Sequence, residues 1–325
     1  MSSAHEAYLA PRWLRGGHAQ TIYPALFLRA PRPRYRRERW DTPDGDFIDL
    51  DFVDGGPDGA PRVVLFHGLE GGSSSHYALA LMRAVERARW NGVVVHFRGC
   101  SGEINRLPRA YHSGDATEIG WILARLAETG EPLYAAGVSL GGNALLKWLG
   151  ETGAGASAYL RAAAAVSAPL DLMAAGAALG QGLNLIYTRL FLATLRRKSL
   201  VKLAHFPGLF DRGRMLAART LREFDDVVTA PLHGYRDTDD YWTRASAKPV
   251  LAGVHLPTLV LNARNDPFLP ARHLPRPHEV SSTVWLEQPE EGGHVGFAGG
   301  AFPGNLDWLP QRLLAFFGEH ARQPR

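Results

Sequence analysis

The sequence predicts an α/β protein: one mostly parallel sheet with helices on both faces, and a helical segment inserted late in the chain. Three observations predict it. Short apolar runs alternate with stretches of helical periodicity, as strand–helix–strand units demand. That rhythm breaks between about 173 and 246, where the pattern is largely helical. A glycine-bracketed serine, Gly137-Val138-Ser139-Leu140-Gly141, stands where an apolar run gives way to a helical one.

Taken in order, "RRERWDTPDGDFIDLDFV" (36–53) reads as two strands around the turn residues Pro43, Asp44 and Gly45. "RVVLFHG" (62–68) is a short buried strand, followed by a Gly/Ser loop and the helical "YALALMRAVERARW". "GVVVHFRG" (92–99) is a strand. "HSGDATEIGWILARLAE" (112–128) is a helix, with Ser113 as its N-cap and Asp115 and Glu118 in its first turns. "PLYAAGVS" (132–139) is a strand, and "NALLKWLG" a helix ending at its glycine. "RAAAAVSAP" (161–169), "PTLVLNARND" (257–266) and "STVWLEQ" (282–288) complete the strands, and "WLPQRLLAFFGEHA" the helices. With no internal repeat or low-complexity linker, residues 1–325 form a single domain carrying the 173–246 insertion. Leu183, Ile186, Tyr187, Leu190 and Phe191 give that insertion an i, i+3, i+4 apolar stripe, which suits core packing of a cap that shapes substrate access.

Composition narrows the function classes. With 46% apolar and 21% charged residues the chain can bury a large core. A single cysteine, Cys100, excludes an intrachain disulfide and a cysteine-rich metal site, and suits a reducing, cytoplasmic setting. The N-terminal stretch has no apolar core of a secretory signal. The longest uncharged run, Leu172 to Thr188, is broken by Gln181, Asn184 and glycines, so no integral membrane segment is expected. A net charge of +4 and the tract "RAPRPRYRRERW" (29–40) come without any nucleic-acid motif. The tract reads as a solvated loop and edge strand, and the basic balance suits a weak peripheral attraction to anionic lipid or substrate.

The chemistry centres on Ser139. G-x-S-x-G between a strand and a helix is a nucleophile elbow, in which the glycines relieve crowding at a sharp turn. The serine oxygen is then displayed at a helix N-terminus. A serine nucleophile needs a base and an orienting acid, in the chain order Ser, acid, His. Asp266 follows the strand "TLVLNA" and His294 follows "TVWLEQ", both on loops at strand ends. Asp171, after "VSAPL", is the rival acid, less favoured because Asn265 and Pro267 shape the Asp266 loop. His273, His278 and His320 fall outside that position and read as surface groups. Backbone N–H groups of Leu69 and Leu140 are the expected oxyanion donors. His67 positions its loop, Glu70 and Ser73 to Ser75 hydrogen-bond it, and Cys100 and Glu103 lie on the rim with substrate contact or packing open to them. His112, Asp115 and Glu118 read as a capped helix, and no metal or cofactor is assigned.

"HGLEGGSSSHYALALM", "GVVVHFRGCSGEINRLPRAYHSG", "GVSLGGNALLKWL", "REFDDVVTAPLHGYRDTDDYW", "ARNDPFLP" and "GGHVGF" together resemble the YheT-like α/β hydrolases, a group that includes plant embryogenesis-associated hydrolases and animal abhydrolase lipid hydrolases. The likeness runs from "LRGGHAQT" (14–21) almost to the C-terminus. It implies the α/β-hydrolase fold with a helical cap, a Ser139–Asp266–His294 triad, and hydrolysis of carboxylic esters. In relatives these are short- to medium-chain esters, acylglycerols or phospholipids. The chain departs from the family pattern at Gly16-Gly17-His18-Ala19, Thr117 and Glu291. No counterpart of the animal relatives' membrane anchor is expected, which puts a lipid-bilayer substrate in doubt. The same triad would also serve acyl transfer to an alcohol or thiol, and a catalytically silent ligand-binding protein would keep the same fold.

Overall fold

Alternation along the strands decides which face of the sheet each side chain covers. In a computed structural model that describes residues 7–321, Val63 and Leu65 of β3 (Arg62–Phe66) pack on one face and Val64 and Phe66 on the other. The same division holds in β4 (Asn91–His96), β5 (Leu133–Val138), β6 (Ala162–Val166) and β7 (Thr258–Leu261). Strands buried on both faces read as unbroken apolar runs, which is why they were legible.

With β1 (Arg36–Asp41), β2 (Phe47–Val53) and β8 (Val284–Glu287), these strands form one eight-stranded sheet in the order β1-β2-β4-β3-β5-β6-β7-β8. β2 runs antiparallel to both neighbours, and all pairs from β4 onward are parallel. Helix α1 (Gly17–Phe27) precedes the sheet in the chain. α2 (His76–Arg87) covers one face of the sheet, α3 (Ala116–Ala127) and α4 (Leu140–Thr152) the other.

Between β6 and β7 the chain runs through α5 (Leu172–Leu179), the long α6 (Leu185–His205) and α7 (Arg212–Ala217). It continues through α8 (Leu221–Phe224), a wide turn at Asp225–Thr229, α9 (Ala230–Leu232) and α10 (Thr238–Ala245). α11 (Trp308–Ala321) closes the first face beside α2 through Leu309, Leu313, Phe316 and Phe317. Among the described residues no helix is long and apolar enough to cross a membrane. Residues 1–6, part of the stretch without a secretory-signal pattern, lie outside the described residues.

Two expectations shift, and one helix is unforeseen. The N-cap of α3 is Asp115, whose carboxylate accepts the Glu118 N–H, and Ser113 instead accepts from the Asn143 amide at 3.0 Å. α4 starts at Leu140, immediately after Ser139, and runs past Gly150 to Thr152, so Gly150 does not end it. α1 goes unpredicted because Pro24 and exposed apolar side chains blur its pattern.

The strand part of the arginine-rich tract, Arg36, Arg37 and Arg39, is paired with carboxylates. Arg37 and Arg39 on edge strand β1 each make paired hydrogen bonds to Asp51 and Asp49 of β2, at 2.7–2.9 Å. Two aspartates buried in a strand would be costly alone; the forked guanidinium contacts satisfy them.

Candidate active site

Ser139 sits at the turn from β5 into α4 with φ 52°, a left-handed conformation that a serine holds only when its surroundings impose it. Gly141 shows what imposes it. A Cβ there would meet the carbonyl oxygens of Phe66 and His67 at 2.4 and 2.6 Å, so the helix start packs directly on the end of β3.

The turn aims Oγ of Ser139 at Nε2 of His294, 3.0 Å away. Nδ1 of His294 lies 2.8 Å from Oδ2 of Asp266. The other carboxylate oxygen, Oδ1, accepts the Phe268 N–H at 2.8 Å, and Asp266 is buried. The Phe268 ring stacks on the imidazole with centroids 4.0 Å apart. The three side chains picked from sequence thus form one hydrogen-bonded line. The rival Asp171 instead caps α5 by accepting the Ala174 N–H, and its carboxylate faces His273 at 3.4 Å.

Several backbone donors of the loop after β3 are used within the protein. Gly68 N–H goes to Tyr77 Oη, Glu70 N–H to Tyr111 Oη and Gly71 N–H to the Gly68 carbonyl. Across from it, Gly141 N–H goes to the His67 carbonyl. Leu69 and Leu140 differ: among the described residues neither N–H has a protein partner, and both residues line the cavity that Ser139 faces. His67 is fully enclosed. Its Nε2 accepts the Phe97 N–H, its Nδ1 faces the Gly68 carbonyl, and burial pushes its pKa down to about 3, so it is a neutral strut.

What the sequence reasoning missed is α1. Gln20, buried, accepts hydrogen bonds from Gly292 N–H and the Asn265 amide on one oxygen and donates to the Leu14 carbonyl. Thr21 Oγ1 accepts the His294 N–H at 2.9 Å. Asn265 in turn accepts the Gly293 N–H. The helix is pressed so close that a Cβ on Gly17 would lie 1.9 Å from the Asn265 carbonyl oxygen. One short helix therefore fixes both the Asp266 loop and the His294 loop. The one local hint in "GGHAQT" is Gly17, which suits close backbone approach beside the polar Gln20 and Thr21.

A cavity of about 160 Å³ opens from Ser139 beneath the inserted helices. Leu172, Leu179, Phe191, Leu195, Phe224 and Val228 supply much of its apolar wall. The apolar stripe read over 183–191 divides: Tyr187 packs against Phe268 and Phe191 lines the cavity, whereas Leu183, Ile186 and Leu190 face outward. Of the rim residues, Cys100 packs beneath the loop and accepts from Lys198, while Glu103 pairs with Arg39 away from the cavity. Glu70 does line it, and its carboxylate receives hydrogen bonds from Tyr111 and from Lys198 on α6. Ser73 bonds Asp51, and Ser75 accepts the Gly72 N–H. His112, Asp115 and Glu118 make no metal cluster among the described residues; Arg98 and Arg109 take up the two acids.

Comparison with known proteins agrees with this architecture. The sequence model of the alpha/beta hydrolase fold matches residues 61–301. An Escherichia coli (strain K12) protein named "Putative esterase YheT" is 39% identical, over 96% of this chain and 93% of that one. The mouse phospholipase ABHD3 is 32% identical over 96% of this chain and 78% of its own. Among solved structures, an esterase of Pyrococcus furiosus superposes with a TM-score of 0.57 at 14% identity, over 90% of this chain and 98% of that one, a likeness of fold.

Proposed function

The chain belongs to the α/β-hydrolase family, and we propose that it is a serine hydrolase cleaving carboxylic esters of short- to medium-chain acids or acylglycerols, with Ser139, His294 and Asp266 as its triad. The observation that carries the reading is the unbroken line from Ser139 Oγ through the imidazole to a buried carboxylate, beside two unpaired N–H groups. The esterase and phospholipase names of the relatives support the ester class.

In this mechanism Nε2 of His294 takes the Ser139 proton as Oγ attacks the ester carbonyl. The Leu69 and Leu140 N–H groups receive the oxyanion, and the α4 N-terminus adds its dipole. Protonated His294 then gives its proton to the leaving alcohol. Water, deprotonated by the same nitrogen, cleaves the acyl-enzyme and restores Ser139. Asp266 holds Nδ1 protonated and stabilises the imidazolium. The inserted helices serve as a cap whose apolar inner wall receives the acyl chain.

The test is turnover of p-nitrophenyl acetate, butyrate, octanoate and palmitate by wild type, Ser139→Ala and His294→Ala, with a competing alcohol to separate transfer from hydrolysis. Hydrolysis peaking at butyrate or octanoate and lost in both variants is expected. Residual activity of Ser139→Ala equal to wild type contradicts the proposal.

A further inference from the structure

α6 is an unusual surface helix. Its inner side closes the cavity through Phe191, Leu195, Lys198, Ser199 and Lys202. Lys198 bonds Glu70, and Lys202 donates to the carbonyls of Asn105, Leu107 and Arg109. A helix covering a core in this way should turn a polar face to water. The outward side of α6 does the opposite. Ile186 and Leu190 near its start, and Leu200 and Val201 toward its end, are 53%, 65%, 36% and 39% exposed. With exposed alanines at 193 and 204 they fall at i, i+4, i+7 spacing on one stripe. Leu183, 66% exposed, extends the stripe beyond the helix start.

The charges on that stripe are of one sign. Arg189 and Arg197 are exposed, and among the described residues neither has a carboxylate in ion-pair contact. α6 contains no Asp or Glu at all, so its inward Lys198 is paired by Glu70 of the body beneath, and Lys202 is held there by backbone carbonyls. A 21-residue helix, apolar outward and edged by unpaired arginines, lacks the mixed charges that keep an ordinary surface soluble. Apolar side chains beside cations are what the boundary of an anionic bilayer accepts: the chains enter the acyl region and the guanidinium groups meet lipid phosphates.

We propose that the outer face of α6 docks on an anionic phospholipid bilayer, holding the roof of the cavity against the membrane surface. Charge complementarity selects this occupant over a second copy of the chain, since two such faces would set Arg189 and Arg197 against their own likenesses. Docking goes beyond the hydrolytic reading and is measured without it.

The experiment is co-sedimentation of the full chain with vesicles of phosphatidylcholine alone or mixed with phosphatidylglycerol, at low and high salt. Two double variants accompany it, Arg189→Glu/Arg197→Glu and Ile186→Ser/Leu190→Ser. None of these residues lines the cavity, so thermal unfolding and p-nitrophenyl butyrate turnover should match wild type. Wild type should bind the phosphatidylglycerol vesicles, more weakly as salt rises, and each double variant should lose at least about tenfold in affinity. Absence of wild-type binding at low salt overturns the proposal, as does binding that survives in both variants. A wild-type dimer broken by Ile186→Ser/Leu190→Ser without vesicle binding also overturns it and assigns the face to a second copy.

Discussion

Thr21→Val isolates the role of α1. Valine keeps the shape of threonine, so packing is preserved and only the hydroxyl is lost. That hydroxyl accepts the His294 N–H at 2.9 Å and itself donates to the Gly17 carbonyl. The Gly17 carbonyl keeps its helical partner, so the main cost is one poorly solvated N–H left without an acceptor, about 2 kcal/mol. Unfolding entropy of about 2.1 cal/mol/K per residue over 325 residues converts this to a fall in Tm of about 3 °C. The same bond anchors the backbone from which the imidazole reaches Ser139. If about 1.4 kcal/mol of that anchoring is expressed in the transition state, kcat drops roughly tenfold, with KM little changed. Differential scanning fluorimetry and p-nitrophenyl butyrate kinetics read both quantities, and Thr21→Ser should restore them. A Thr21→Val protein with wild-type kcat and Tm would refute the claim that α1 holds the histidine loop.

Gly141→Ala should lower Tm steeply, by an overpacking cost of about 3 kcal/mol or more, because the new Cβ meets two backbone carbonyls that have no freedom to retreat. Val228→Trp, on the apolar cavity wall, should depress octanoate turnover relative to acetate, measured as the ratio of kcat/KM values. Asp51 gives a pH signature. Burial alone would raise its pKa, but hydrogen bonds from Arg37, His96 and Ser73 outweigh it and hold the carboxyl well below the usual carboxylate range. A depressed carboxyl stabilises the fold above its unfolded pKa of about 4 and ceases to do so as pH falls through the folded value. Asp51→Asn should therefore be less stable than wild type in urea at neutral pH, and the gap should narrow on acidification.

The parts of the molecule legible in sequence are those governed by local pattern. β3 to β7 show as apolar runs because both faces are covered, and Ser139, Asp266 and His294 are each flagged by a strand end and the glycines or proline beside it. The proposed oxyanion donors, the Leu69 and Leu140 N–H groups, follow from the same topology. Less legible is anything set by partners distant in sequence. Asp115 rather than Ser113 caps α3 because Asn143 claims Ser113 from another helix. Gln20 and Thr21 act on loops more than two hundred residues away, and nothing local to "HAQT" states that reach. The sidedness of α6 is likewise tertiary: Tyr187 turns inward because Phe268 is there to receive it, which leaves Ile186 and Leu190 outside.

The measurement that bears most directly on the central claim is fluorophosphonate labelling followed by peptide mass spectrometry. A nucleophile activated by His294 should carry the phosphonyl adduct on the peptide holding Ser139, and Ser139→Ala should abolish labelling while leaving Tm near wild type. A folded, unlabelled wild type, or an adduct on a different residue that persists in Ser139→Ala, would contradict the account.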